Sequence, residues 1–147
     1  MSGLYLKATK NTPLVVMDPA TECFVIFGNS LPENAVEFYE PIFHWMDRNA
    51  AAIPQGAIFR FRLSYFSTSS MKALFKLLAK LKEINTLFAK DVQVKWHVEE
   101  NDEFMTEAGS SLFELIELPF AYVEESEQAA LADTLAVMQR YAAQLAA

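Results

Sequence analysis

Two stretches of this chain alternate strictly between apolar and polar positions. In the first, Ala57, Phe59, Phe61, Leu63 and Tyr65 fall on one side, with Arg60, Arg62 and Ser64 on the other. In the second, Val92, Val94, Trp96 and Val98 oppose Gln93, Lys95 and His97. A period of two predicts strands that bury one face. Between them the period changes to that of a helix, with an apolar stripe through Met71, Leu74, Phe75, Leu78 and Leu81, Phe88 as its far extension, and Lys72, Lys76 and Lys80 on the exposed side. Strand, helix and strand of these lengths form a βαβ unit, whose strands run parallel with a right-handed connection. As neighbours, they would place Arg60, Arg62, Lys95 and His97 on one polar sheet face and the helices on the other. The expected fold is α/β, a two-layer sandwich with helices mainly on one face of the sheet.

The remaining elements follow from local signals. Leu14 to Met17 and Cys23 to Phe27 are rich in β-branched and aromatic residues and flank Asp18-Pro19-Ala20-Thr21, which reads as a β-hairpin and makes the sheet mixed. Ser30 is a candidate N-cap, with Pro32 in the first turn, Glu33 behind it and an apolar stripe through Val36, Tyr39, Phe43 and Met46. Pro41 should bend or interrupt that helix. A further helix is expected from Asn101 or Asp102, broken around Gly109 and resumed briefly before Pro119. The alanine-rich end, Glu125 to Ala147, reads as one amphipathic helix with Leu131, Leu135, Met138, Ala142 and Leu145 at helical spacing.

At 147 residues, 52% of them hydrophobic, the chain is of single-domain size. Its charge is uneven. Met1 to Val98 carries eleven Lys or Arg and eight Asp or Glu, whereas Glu99 to Ala147 carries one arginine and eleven acids. That acidic field argues against nucleic acid, whose binding rests on Lys and Arg neutralising phosphates, and favours protein partners. The single cysteine, Cys23, cannot form an internal disulfide, which suits a reducing, cytoplasmic setting. No stretch approaches the roughly 18 uninterrupted apolar residues of a membrane helix. The N-terminal residues have the pattern of neither a signal peptide nor an anchor, so a soluble protein without direct membrane insertion is expected.

The candidate chemistry is sparse. Cys23 would need His44 or His97 as base to serve as a nucleophile, yet no nucleophile motif surrounds it, and a small core residue explains it equally well. His44 reads as a partly buried histidine and His97 as a solvated strand residue. The acidic run Glu99, Glu100, Asp102, Glu103 and Glu107 lacks the loop spacing of a hard-cation site and suits the start of a helix. With four glycines in the chain, a Gly-rich phosphate cradle is not expected. No metal or cofactor is therefore expected. Ser67-Thr68-Ser69-Ser70 remains, at the junction of a buried strand and a helix. One hydroxyl suffices for an N-cap. Four hydroxyls at the C-terminal end of a strand lie where α/β folds meet ligands and modifications, so a plain cap and a modification site are both open.

The segments TPLVV, GNSLPENAVEFYEPIFHW, FRLSYFSTSSMK, VKWHVEENDEFMTEAG and LPF resemble, in order, the signature blocks of the SiaC family of bacterial regulatory phosphoproteins over roughly Leu4 to Tyr122. LPENA and YFSTSSMK are the specific blocks. The resemblance implies a non-enzymatic partner switch in biofilm and cyclic-di-GMP signalling. A Ser/Thr kinase phosphorylates the threonine of the TSS motif, a metal-dependent phosphatase reverses it, and the unphosphorylated form activates a diguanylate cyclase. That threonine is Thr68, with Ser67, Ser69 and Ser70 around it. By position alone, Lys72, Lys76 and Lys80 on the exposed side of the same helix are candidates for partner binding, a solvated helix face being the alternative. The fold and logic are also similar to those of anti-sigma-factor antagonists. Ser67 stands where the family often has Asn, and the chain continues past the family's usual end. The expected division is thus 1–123, a SiaC-like domain, and 124–147, a helix packed on it or on a second copy. The competing readings are an anti-sigma-factor-antagonist-like protein without a cyclase partner and a small-ligand module using the polar sheet face.

Overall fold

The computed structural model describes residues 3–146. Its strands are β1 (Leu4–Leu6), β2 (Leu14–Asp18), β3 (Cys23–Ser30), β4 (Ile58–Phe66), β5 (Gln93–Glu99) and β6 (Phe120–Glu125). Its helices are α1 (Ala35–Asn49), α2 (Thr68–Phe88), α3 (Glu103–Leu115), α4 (Glu127–Arg140) and α5 (Ala142–Ala146), with a 3-10 turn at Ala50–Ala52. The strands lie side by side in chain order as one mixed sheet. β1, β2 and β3 pair antiparallel, and β3 to β6 pair parallel. Three successive crossovers advance in the same direction, and right-handed connections then set α1, α2 and α3 on the same side of the sheet. The main core forms there, between the inward residues of the strands, among them Ile26, Phe61 and Trp96, and the buried stripes of these three helices.

The expected hairpin is present. The Asp18 carboxylate organises its turn, Oδ1 accepting from the Ala20 amide at 3.0 Å and Oδ2 from the Tyr5 hydroxyl at 2.8 Å. The first helix starts later than expected. Its cap is Asn34, whose Oδ1 accepts from the Glu37 amide at 3.1 Å, while Ser30 ends β3 with its hydroxyl engaged in the core. Starting at Ala35 rotates the buried face to Ala35, Tyr39, Ile42, Trp45 and Met46 and leaves Val36 76% exposed. Pro41 neither breaks nor ends α1. It lies on the solvent side with Glu37, so the carbonyl that loses its helical partner can turn to water.

The alternation of β4 also slips by one residue. Gly28 pairs with Leu63 but Asn29 with Tyr65, so Ser64 is an extra residue that turns Tyr65 outward and Phe66 into the core. Gly28 meets this irregularity at φ +129°, a conformation that other residues rarely adopt. In α2 the buried face runs through Leu74, Leu77, Leu78, Leu81 and Ile84, and Phe75 and Phe88 are exposed. α3 passes through Gly109 unbroken. The glycine is there for contact, since a Cβ at that position would sit 2.7 Å from the Trp96 ring.

The end of the chain differs most from expectation. Phe120–Glu125 is a sixth strand spanning positions 123 and 124, and the terminal helix begins at Glu127 with Ser126 as its cap. α4 lies on the opposite face of the sheet, where Val137 and Tyr141 join Leu14, Val16, Val25 and Phe27 in a second, smaller core. Leu131 and Leu135, expected in its stripe, are exposed. Charge explains the rotation. Ala130, Asp133, Thr134, Val137 and Tyr141 recur at helical spacing, and Asp133 is held by Arg60 and Arg62 of β4. On the polar sheet face, Arg62 and His97 are therefore buried and Arg60 half-buried, while Lys95 stays exposed.

Candidate functional site

The four hydroxyls at the β4–α2 junction have separate duties. Ser67 is the cap: its Oγ accepts from the Ser70 amide at 3.1 Å, and its own amide donates to the Ser30 carbonyl at 3.0 Å. Ser70 is fully buried. Its Oγ donates to the Ser30 carbonyl at 2.9 Å and accepts from the Ser30 hydroxyl at 2.8 Å and from Ser67 Oγ at 3.1 Å. With its one proton committed to Ser70, Ser30 Oγ must accept from the Tyr39 hydroxyl, 2.7 Å away. Burial pushes the Tyr39 pKa up to about 12, so the phenol keeps the proton this chain of bonds requires. Thr68 and Ser69 take no part and are exposed on the first turn of α2.

Thr68 and Ser69 open onto a groove of about 710 Å3 between α1 and α2. Lys72 and Lys76 line its α2 wall, and Glu33, Glu40 and Asp47 line the opposite wall. The floor includes Phe43, whose ring carries the Lys76 ammonium at 4.8 Å. The expected lysine row therefore divides. Lys72 and Lys76 line the groove with Thr68, whereas Lys80 lies at its edge, neutralised by Asp47 Oδ1 at 2.7 Å. Sequence reasoning missed the α1 wall. Val36, expected on the apolar stripe, and His44, expected to be partly buried, are both exposed in the groove. An Asn34 cap three residues before Glu37 was the available signal for this shift.

The polar sheet face forms a second constellation. Arg62 Nε and Nη2 clasp Glu125 at 2.6 and 3.0 Å, Nη2 also reaches Asp133 Oδ2 at 2.7 Å, and Nη1 donates to Thr134 at 3.2 Å. Arg60 is paired with Asp133, and its Nε donates to His97 Nε2 at 3.2 Å. His97 therefore carries its proton on Nδ1 and donates it to Glu125 Oε1 at 3.2 Å. Burial, followed by the charges of Arg62 and Arg60, lowers the His97 pKa, and the ring is neutral. Burial alone would raise the carboxyl pKa values of Glu125 and Asp133, but the bonds and charges of the arginines more than offset it and both are lowered. His97 is thus a buried structural residue rather than a solvated one, and hollows of about 380 and 330 Å3 remain along α4 on this face, the first lined by Arg60, Lys95 and Asp133 and the second by Arg62, His97 and Thr134.

Cys23 is far from catalytic chemistry. It is half-buried beside Tyr141, burial raises its thiol pKa, and no histidine bonds to it among the described residues. Among the described residues no group of three or more His, Cys, Asp or Glu could hold a metal ion.

The family of SiaC regulatory phosphoproteins matches residues 6–125. The chain belongs to the SiaC family. SiaC of Pseudomonas aeruginosa superposes with a TM-score of 0.75 at 28% identity, over 85% of this chain and all of that one. SiaC in the crystal structure of the diguanylate cyclase SiaD with its activator SiaC, also from Pseudomonas aeruginosa, gives 0.76 at 28% identity over 83% of this chain and 99% of that one. An uncharacterized protein of Pseudomonas aeruginosa (strain UCBPP-PA14) is 29% identical over 127 residues, covering 86% of this chain and its own full length. Members of the SiaC family are regulators, not enzymes, and the Cys23 enzyme reading falls with that assignment. The family match ends with β6, so α4 and α5 lie beyond it. No helix among the described residues is long and apolar enough to cross a membrane.

Proposed function

We propose that this chain is a phosphorylation-controlled activator of a diguanylate cyclase, with Thr68 as the switch residue. The observation that carries the reading is the inequality of the four hydroxyls. Ser67 and Ser70 are committed to the cap and the core, and Thr68 stands free at the mouth of a groove between two helices. Family membership supplies the class of chemistry, and the SiaD–SiaC complex supplies the kind of effector.

A phosphoryl group on Thr68 would add about 1.5 to 2 negative charges at the N-terminus of α2, where amides and helix dipole tolerate it. The domain keeps its fold while the positive charge of Lys72 and Lys76 on the α2 wall is cancelled and the groove as a whole becomes more negative. An effector acid placed for Lys72 and Lys76 would then meet the phosphate, and Lys72, one turn beyond Thr68, would be drawn to the phosphate itself. A loss of about 1.4 kcal/mol is already tenfold in affinity. A cytoplasmic Ser/Thr kinase writes the mark and a metal-dependent phosphatase removes it. Residues 1–123 carry this switch, and 124–147 are an addition that braces the sheet.

The test is phosphosite mapping by mass spectrometry, then effector affinity for the wild type, Thr68→Ala and Thr68→Asp. Thr68→Ala should bind constitutively. Thr68→Asp should weaken binding less than phosphate does, since a carboxylate carries one charge. Phosphate only on Ser69, the other exposed hydroxyl, would move the switch by one residue, and identical affinity in all forms would remove it.

A further inference from the structure

Five carboxylates, those of Glu99, Asp102, Glu103, Glu107 and Glu124, surround a shallow hollow of about 370 Å3 where the first turns of α3 meet the ends of β5 and β6. No Lys or Arg lines it, and none of the five is in a salt bridge among the described residues. One aromatic pair adjoins it through Phe104, which follows Glu103 on the first turn of α3, and a second lies further back along β6. Tyr65 and Phe104 stack at 6.4 Å with their planes 9° apart, 54% and 57% exposed, and Phe120 and Tyr122 meet edge to face at 5.3 Å. The Tyr122 hydroxyl reaches the Thr106 carbonyl at 3.4 Å, tying β6 to α3. Single exposed aromatics are ordinary, but rings already braced against one another present apolar area at little further entropic cost, as interface anchors do.

Charge decides what fits. A second copy would bring five carboxylates against five. A nucleic acid would be repelled, and the carboxylates do not converge on a metal site. A protein segment with Lys or Arg beside apolar residues satisfies both the rings and the acids. We propose that the Tyr65–Phe104 ridge and the acidic hollow beside it form a docking surface for a basic amphipathic protein segment. Its apolar side chains rest on the rings and its cations on Glu103, Glu107 and Glu124. The surface lies outside the Thr68 groove, and the proposal does not depend on the switch reading.

The test uses the full chain, isotope-labelled, titrated with a 14-residue amphipathic probe of Leu, Trp and Lys, a length of about four helical turns, and with the same probe bearing Glu for Lys. The Lys probe should shift amides of 99–107 and 120–124 and bind more weakly as salt rises, and the Glu probe should not bind. Tyr65→Ala with Phe104→Ala should weaken the Lys probe at least about tenfold. Glu103→Lys with Glu107→Lys, which alters only exposed side chains, should do the same. Shifts centred on the Thr68 groove, equal binding of both probes, unchanged affinity in both double variants, or self-association through this face would each overturn the proposal.

Discussion

At the level of single residues the structure separates hydroxyls that look equivalent in the sequence. Ser67→Ala should cost about 1 kcal/mol, the typical value of a lost N-cap. Thr68→Ala should leave the melting temperature unchanged, because Thr68 bonds to nothing that holds the fold. Thermal denaturation of the two variants side by side checks this, and equal losses would show that the cap is shared. Ser70→Ala should be the most costly of the three, about 1 to 3 kcal/mol, since it removes the acceptor for the proton of the buried Ser30 hydroxyl. None of this ranking is legible in Ser67-Thr68-Ser69-Ser70 as a string. It depends on Ser30 and Tyr39, which lie about thirty to forty residues earlier and meet the motif only when β3 pairs with β4.

Among the elements, α4 and the sheet face beneath it carry the clearest consequences. His97 is held neutral with its pKa below the ordinary 6.5, so the unfolded chain takes up a proton that the folded one resists. Stability from this group is complete above 6.5 and declines as the pH falls below it. Glu125 and Asp133, held below the ordinary carboxyl values of 4.5 and 3.8, add losses only at lower pH. The melting temperature should therefore fall between pH 7.5 and 5.5 in the wild type and fall less in His97→Gln. Equal slopes would contradict the neutral tautomer. Ending the chain after Ser126 removes Asp133, Val137 and Tyr141 from the sheet and should lower the melting temperature by about 5 °C or more, since each kcal/mol is worth about 2 to 4 °C at this size. The two strands flanking α2 were readable from the alternation at Phe59, Phe61, Val94 and Trp96, whose neighbours point to opposite environments. The rotation of α4 was not. A leucine stripe through Leu131 and Leu135 is the stronger pattern in the sequence, but the ion pairs from Arg60 and Arg62 to Asp133 set the helix on the sheet, and that pairing spans about seventy residues. Phe120–Glu125 was missed as a strand because an edge strand with exposed Phe120 and Tyr122 shows no buried face.

The whole molecule is a mixed sheet with the proposed switch residue, Thr68, at a strand end and α4 as a brace on the face opposite α1, α2 and α3. α1, α2 and α3 share one layer because three right-handed crossovers advance the same way, and that layer forms the groove beside Thr68. The brace under α4 lies beyond the family match, so the switch should operate in the core domain while the extension tunes stability. The most direct measurement compares the unmodified chain with the chain phosphorylated at Thr68 for affinity to a diguanylate cyclase, together with the rate of cyclic-di-GMP formation. Tight binding and a raised rate with the unmodified chain, and at least about tenfold weaker binding with the phosphorylated one, are the predicted results. Equal affinity of the two forms, or activation by the phosphorylated form alone, would contradict the account.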